Sequence, residues 1–130
     1  MKATEIMIGD RLAYRGQFAG FDFRVEQVTK QKVGYHAEPG ENRMHYLRLN
    51  EVQPIPLTPE ILEWNGFEKV QNLLVLQWEN GVYLSMIFVE YNPENYCLFI
   101  NDMMFPKPIR FLHELHHILM DCDIEKEITL

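Results

Sequence analysis

The chain has 130 residues, 47% hydrophobic and 24% charged, enough for one compact domain or two small ones sharing a core. A formal net charge of −7 excludes a generally basic, phosphate-binding protein. No apolar run reaches membrane-spanning length, since the longest, Val82 to Val89, is broken by Ser85.

The first half reads as short strands. Ile8-Gly9-Asp10 places a Gly-Asp turn before an alternating segment that runs to Tyr14. Phe21 to Val28 alternates again, with Phe21, Phe23, Val25 and Val28 facing inward. Lys32 to Ala37 and Met44 to Leu49 are further strands, separated by the turn cluster Glu38-Pro39-Gly40-Glu41-Asn42. Four or five short strands without helical periodicity predict a small antiparallel barrel of SH3-like type over residues 1–55.

Gln53-Pro54-Ile55-Pro56-Leu57 is a stiff boundary, because two prolines hold the chain extended. Residues 56–130 then predict a second α+β subdomain. Thr58-Pro59-Glu60 is a helix start, with Thr58 as N-cap, and Gly66 is its end. Ile61, Leu62, Trp64 and Phe67 should pack that helix on a sheet. A three-stranded antiparallel meander follows at about Leu73–Trp78, Val82–Glu90 and Tyr96–Asn101. Its turns are Glu79-Asn80-Gly81 and Asn92-Pro93-Glu94-Asn95. After Pro106 and Pro108, a final helix runs from Ile109 to about Asp121.

Charge is divided unevenly. Residues 1–55 carry eight Lys and Arg against seven Asp and Glu, whereas residues 56–130 carry four against twelve. An acidic second half disfavours binding along a phosphate backbone there. In the first half, Lys30, Lys32, Arg43 and Arg48 interleave with Tyr35, His36, His45 and Tyr46, as a single-stranded nucleic-acid surface requires. Alternating strands also produce such interleaving. The chain begins without a long apolar segment, and Cys97 and Cys122 form neither a zinc knuckle nor a C-x-x-C. A cytoplasmic protein with reduced, buried thiols and no membrane partner is the expectation.

His113-Glu114-Leu115-His116-His117 spells H-E-x-x-H, in which two histidines four apart on a helix bind zinc and the glutamate activates water. The metal set implied is His113 and His117 with Asp123 as third ligand and Glu114 as base. Two features oppose it. The position that should be glycine before Asp123 is Met120, and Arg110 projects between the two histidines. Helical phase assigns Phe111, Leu112, Leu115, Ile118, Leu119 and Cys122 to the core. It leaves Arg110, His113, Glu114, His117 and Asp121 on a solvated face, with His116 near the border as a partly buried histidine with a hydrogen-bonded ring. There is no Gly-rich phosphate loop, and Ser85, the sole serine, lies mid-strand and is a poor nucleophile.

Ile8-Gly9-Asp10, Pro54-Ile55-Pro56-Leu57-Thr58-Pro59-Glu60 with Gly66-Phe67, and Leu112-His113-Glu114-Leu115 together resemble a family of small uncharacterised proteins found in Bacteroidales genomes and their mobile elements. In that family the L-H-E-L segment is commonly followed by a residue such as glutamine. The resemblance therefore implies that His116 and His117 are particular to this chain, and it implies no activity. The expectation is a non-enzymatic α+β binding or interaction module without cofactor, engaging a protein partner and open to self-association through strand edges. A small zinc hydrolase and a single-stranded nucleic-acid binder are the alternatives.

Overall fold

The computed structural model describes residues 1–15, 22–38, 40–71, 73–78, 81–89, 92–126 and 128, and the side chains of 87–89 and 92–94 are not among what it describes. Phe21, Pro39, Glu79, Asn80 and Glu90, each part of an expected strand or turn, lie outside the described residues. The architecture is α+β, mostly antiparallel sheet with two helices.

Six strands come from the first half: β1 (Arg11–Tyr14), β2 (Asp22–Arg24), β3 (Gln27–Val28), β4 (Lys32–Tyr35), β5 (His45–Arg48) and β6 (Val52–Pro54). They form two three-stranded sheets, ordered β2-β1-β6 and β3-β4-β5, rather than one closed ladder among the described residues. The expected strand from Phe21 to Val28 is thus two strands in different sheets. Val25 is the pivot, since its N–H donates to the Asp10 carbonyl at 2.8 Å and its own carbonyl accepts from Gly9. Ile6, Leu12, Phe23, Val25, Val33 and Val52 make one buried cluster from this half.

The second half contributes α1 (Pro59–Trp64), β7 (Glu68–Val70), β8 (Leu73–Gln77), β9 (Tyr83–Val89), β10 (Asn92–Ile100), β11 (Met103–Met104) and α2 (Leu112–Asp121). Thr58 caps α1, its side-chain oxygen accepting from the Ile61 N–H at 3.2 Å. The three expected meander strands are the centre of a five-stranded sheet, β11-β10-β9-β8-β7. The edges β7 and β11 escape the sequence pattern because each is two or three residues long and exposed on both faces. Asn92 to Asn95, expected as a turn, lies within β10, where the register shifts between Asn92 and Tyr96. A bulge absorbs the extra residues there without ending the strand. A second buried cluster, Leu57 to Ile128, lies between this sheet and the helices.

The boundary segment is stitched on both sides. Its start, β6, pairs with β1, while beyond it the Ile55 carbonyl accepts from Leu112 N–H at 2.8 Å and Leu57 N–H donates to the Arg110 carbonyl at 2.9 Å. Ile109 exchanges two backbone hydrogen bonds with Tyr96, at 2.7 and 2.8 Å. Ile109 to Phe111 are consequently extended, and α2 starts at Leu112 rather than at Ile109.

Two burial expectations fail. Trp64, expected against the sheet, is 71% exposed, because α1 turns Leu62 inward and ends at Trp64. Cys122, expected in a core, is exposed at the C-cap of α2, while Cys97 is partly buried.

Candidate functional site

The site begins with a tight turn. The Asp10 N–H donates to the Met7 carbonyl at 3.1 Å, and Gly9 occupies the left-handed region at φ +95°. Gly9 is also required by its neighbour: a Cβ built there would lie 3.0 Å from Cε1 of His116. The turn points the Asp10 carboxylate inward, where the residue is fully buried. A buried carboxylate costs several kcal/mol unless it is paired and hydrogen-bonded, so its partners decide whether this arrangement is tenable.

Three donors meet it. The Met7 N–H reaches Oδ2 at 2.9 Å, Nδ1 of His116 reaches Oδ1 at 2.7 Å, and Nε2 of His117 reaches Oδ2 at 2.8 Å. Adjacent helical residues point about 100° apart, so they converge on one group only if it lies between them and they use different ring atoms. That is the arrangement here, with the near nitrogen of one ring and the far nitrogen of the other. An ionised carboxylate only accepts, so both contacting nitrogens carry protons. Burial pushes the Asp10 carboxyl upward, but the hydrogen bonds from His116, His117 and Met7 and the attraction of His117 outweigh it. The group is held below its ordinary 3.8.

This geometry corrects the expectation of a solvated histidine face. His113 is 6% exposed, whereas His116, expected as a partly buried ring with a hydrogen bond, is 8% exposed and bonded to Asp10. The helix is covered on two sides. Leu112, Leu115 and Leu119 are buried in the cluster of the second half, and His116 and His117 meet the turn before β1. The buried arc therefore spans about 160° of the helix, wider than one packed face supplies. Amphipathic phase found the leucine side and mistook the second covered side for solvent.

The H-E-x-x-H residues take other roles. Oε1 of Glu114 accepts from the backbone N–H of Phe111 at 2.9 Å and of Arg110 at 3.1 Å, closing the N-terminus of α2. His113 packs between Phe111, stacked at 5.9 Å, and His117, edge-on at 5.5 Å between ring centroids. Its Nδ1 is buried with no hydrogen-bond partner among the described residues. Burial, assisted by His117, holds the His113 imidazole below its ordinary 6.5 against the opposing pull of Asp10, Glu114 and Glu5. Asp123 is exposed just beyond the C-cap of α2, at φ +58°. It supplies by itself the left-handed residue for which a glycine had been sought at position 120. The set His113, His117 and Asp123 is not gathered. Among the described residues, the three potential ligands whose donor atoms lie within 4.8 Å of one another are Asp10, His116 and His117. Asp10 was read as a turn residue alone; its partners are 106 and 107 positions away, beyond any local pattern.

Beside His117 a cavity of about 360 Å³ opens between Glu5, Pro54, Phe111, His113 and Glu114. Of the aspartate–histidine cluster, His117 lines it.

The residues considered for nucleic acid divide between two faces of the β3-β4-β5 sheet. Lys32 lies opposite Arg48, and Tyr46 lies opposite Gly34, on the outer face. The Lys32 ammonium sits 4.2 Å from the Tyr46 ring centroid. Tyr35 and His45 pair on the other face, where Tyr35 meets Phe23 at 4.7 Å and His45 is bound to Glu41 at 3.1 Å. His36 donates from Nδ1 to the Arg43 carbonyl at 3.0 Å, and Lys30 is exposed in the β3–β4 turn.

No helix among the described residues is long and apolar enough to cross a membrane. Comparison of the chain with protein-family models, with curated proteins and with solved structures finds no match.

Proposed function

We propose that the chain is a non-enzymatic binding or interaction module of the cytoplasm, with its two halves locked by the contact of His116 and His117 with Asp10. One observation carries this reading: Glu114, the only candidate base in the motif, is committed to the two backbone donors at the start of α2. A carboxylate so held stabilises a helix end and is not directed at a metal-bound water. In this reading the two small sheets are the halves of an SH3-like barrel, and the chain groups with the small Bacteroidales proteins it resembles. The I-G-D and L-H-E-L segments that carry the resemblance belong to the elements that meet at Asp10. A protein partner would engage the exposed apolar side chains Trp64, Met103 and Met104, the last two on a sheet edge that is also available to a second copy. The test is a panel of peptide and nucleotide substrates with zinc-loaded protein. The expected outcome is no turnover above that of Glu114→Gln, and turnover abolished by that substitution overturns the reading.

A second reading rests on the outer face of β3-β4-β5. There two cations stand opposite each other beside an exposed Tyr46, as single-stranded nucleic acid requires. Binding of a single-stranded oligonucleotide should then weaken with salt. Lys30→Ala and Arg48→Ala should each reduce the log–log slope by about 0.7 per lost phosphate contact. Salt-independent or absent binding removes it.

A further inference from the structure

We propose that Asp10, His116 and His117 form a site for one divalent transition-metal ion of the zinc class, joining the turn before β1 to α2. The site differs from the one the H-E-x-x-H motif implies, and it does not depend on the interaction reading. One carboxylate oxygen and two imidazole nitrogens converge within 4.8 Å. That is the two-histidine, one-carboxylate donor set that suits zinc, cobalt, nickel and ferrous iron, whereas magnesium and calcium prefer all-oxygen surroundings.

The distances are compatible with ligation after a small adjustment. With bonds of about 2.1 Å and tetrahedral angles, donor atoms stand about 3.4 Å apart. His116 Nδ1 now contacts Oδ1 at 2.7 Å and His117 Nε2 contacts Oδ2 at 2.8 Å. As the ion takes the place of the bridging protons, one ring must turn from the second oxygen to the ion, and the other ring's contact to the ligating oxygen must open by roughly 0.6 to 0.7 Å. The partly exposed His117 ring can give by that amount. Asp10 retains the Met7 N–H as an outer-shell donor, which is the kind of support that orients ligating carboxylates.

A second observation points to a ligand. His113 is buried, lines the cavity beside His117, and carries an Nδ1 with no partner among the described residues. Three protein ligands leave a fourth position on the ion. The orphaned Nδ1 belongs to the ring that packs edge-on against His117, one of the three ligands. Glu114 is held at the helix start, so the ion is structural: it converts a hydrogen-bonded junction into a coordinated one.

The experiment uses the full chain, purified without a histidine tag and stripped with chelator. Zinc chloride titrated by calorimetry should bind one equivalent and raise the melting temperature, and magnesium should do neither. Cobalt substituted into the wild type should give a low-symmetry visible spectrum without a thiolate charge-transfer band. Asp10→Asn and His116→Gln should weaken zinc binding at least about tenfold, whereas His113→Gln and Asp123→Asn should change it less than about threefold. If the first two variants fail to fold, the wild-type zinc titration and cobalt spectrum decide. No zinc binding to the wild type overturns the proposal. So does binding lost in His113→Gln and Asp123→Asn but kept in Asp10→Asn, since that places the ion on the motif's own residues.

Discussion

Asp10→Ala, measured in chelator so that no ion contributes, removes the one acceptor shared by three donors. Hydrogen bonds to a charged group contribute about 1.5–3 kcal/mol each, and leaving a buried donor unpaired forfeits its solvation as well. The three bonds do not simply add. The His117 side chain is 28% exposed and regains water, so its share is discounted, while His116 side chain at 10% exposure and the Met7 N–H do not recover theirs so readily. Removing one partner from a buried charged network costs about 3–5 kcal/mol, and that is the expected loss. For a domain of this size the total stability is about 5–15 kcal/mol, so the variant should remain folded but marginal. Urea unfolding followed by tryptophan fluorescence measures it, with His116→Ala and the double variant completing a cycle. Coupling between positions 10 and 116 should be about 1.5–3 kcal/mol. A loss below about 1 kcal/mol, or additive single effects, would refute the idea that this carboxylate holds the two halves together.

Further outcomes are expected. Gly9→Ala should destabilise by about 1–3 kcal/mol through its left-handed backbone and its clash with the His116 ring. Gly81→Ala, also left-handed but in open space, should cost about 1 kcal/mol, and chemical denaturation of both isolates the ring contact. Glu114→Ala should cost about 0.5–2 kcal/mol and fray the start of α2 in amide exchange, while zinc affinity stays unchanged. Stability should fall as pH drops below 6.5, the ordinary value of His113, because its folded value is lower and the unfolded chain binds the extra proton. The slope is at most about 1.4 kcal/mol per pH unit, ends below the folded value, and should vanish in His113→Phe unfolding curves. Asp10 acts in a separate window. Its folded value lies below 3.8, so its contribution is complete above 3.8 and is lost as acid carries the pH through the folded value.

Local chemistry made much of the fold legible. The Thr58 cap and the central strands of the large sheet follow from residue type and spacing, and the structure contains them. The short edges β7 and β11 and the Val52–Pro54 strand were not legible, since two or three residues carry no period and Pro54 argued against pairing. Pro54 is tolerated on an edge strand, in a sheet ordered β2-β1-β6. The site divided along the same line. Helical phase correctly buried Leu112, Leu115 and Leu119, but it assumes that a helix has one covered side. His113 and His116 are buried because a second element packs there, and that contact depends on a turn more than a hundred residues earlier. The Gly9-Asp10 pair was visible as a turn; its reason for being Gly and Asp was visible only once His116 stood against it.

Long-range proton–nitrogen NMR of the imidazoles in chelator-treated, nitrogen-15-labelled protein tests the aspartate–histidine contact most directly. His116 should be protonated at Nδ1 and His117 at Nε2, with slowly exchanging protons that disappear in Asp10→Ala. Neutral His116 carrying its proton on Nε2, or rapid exchange at both rings regardless of residue 10, would contradict the junction on which the site is built.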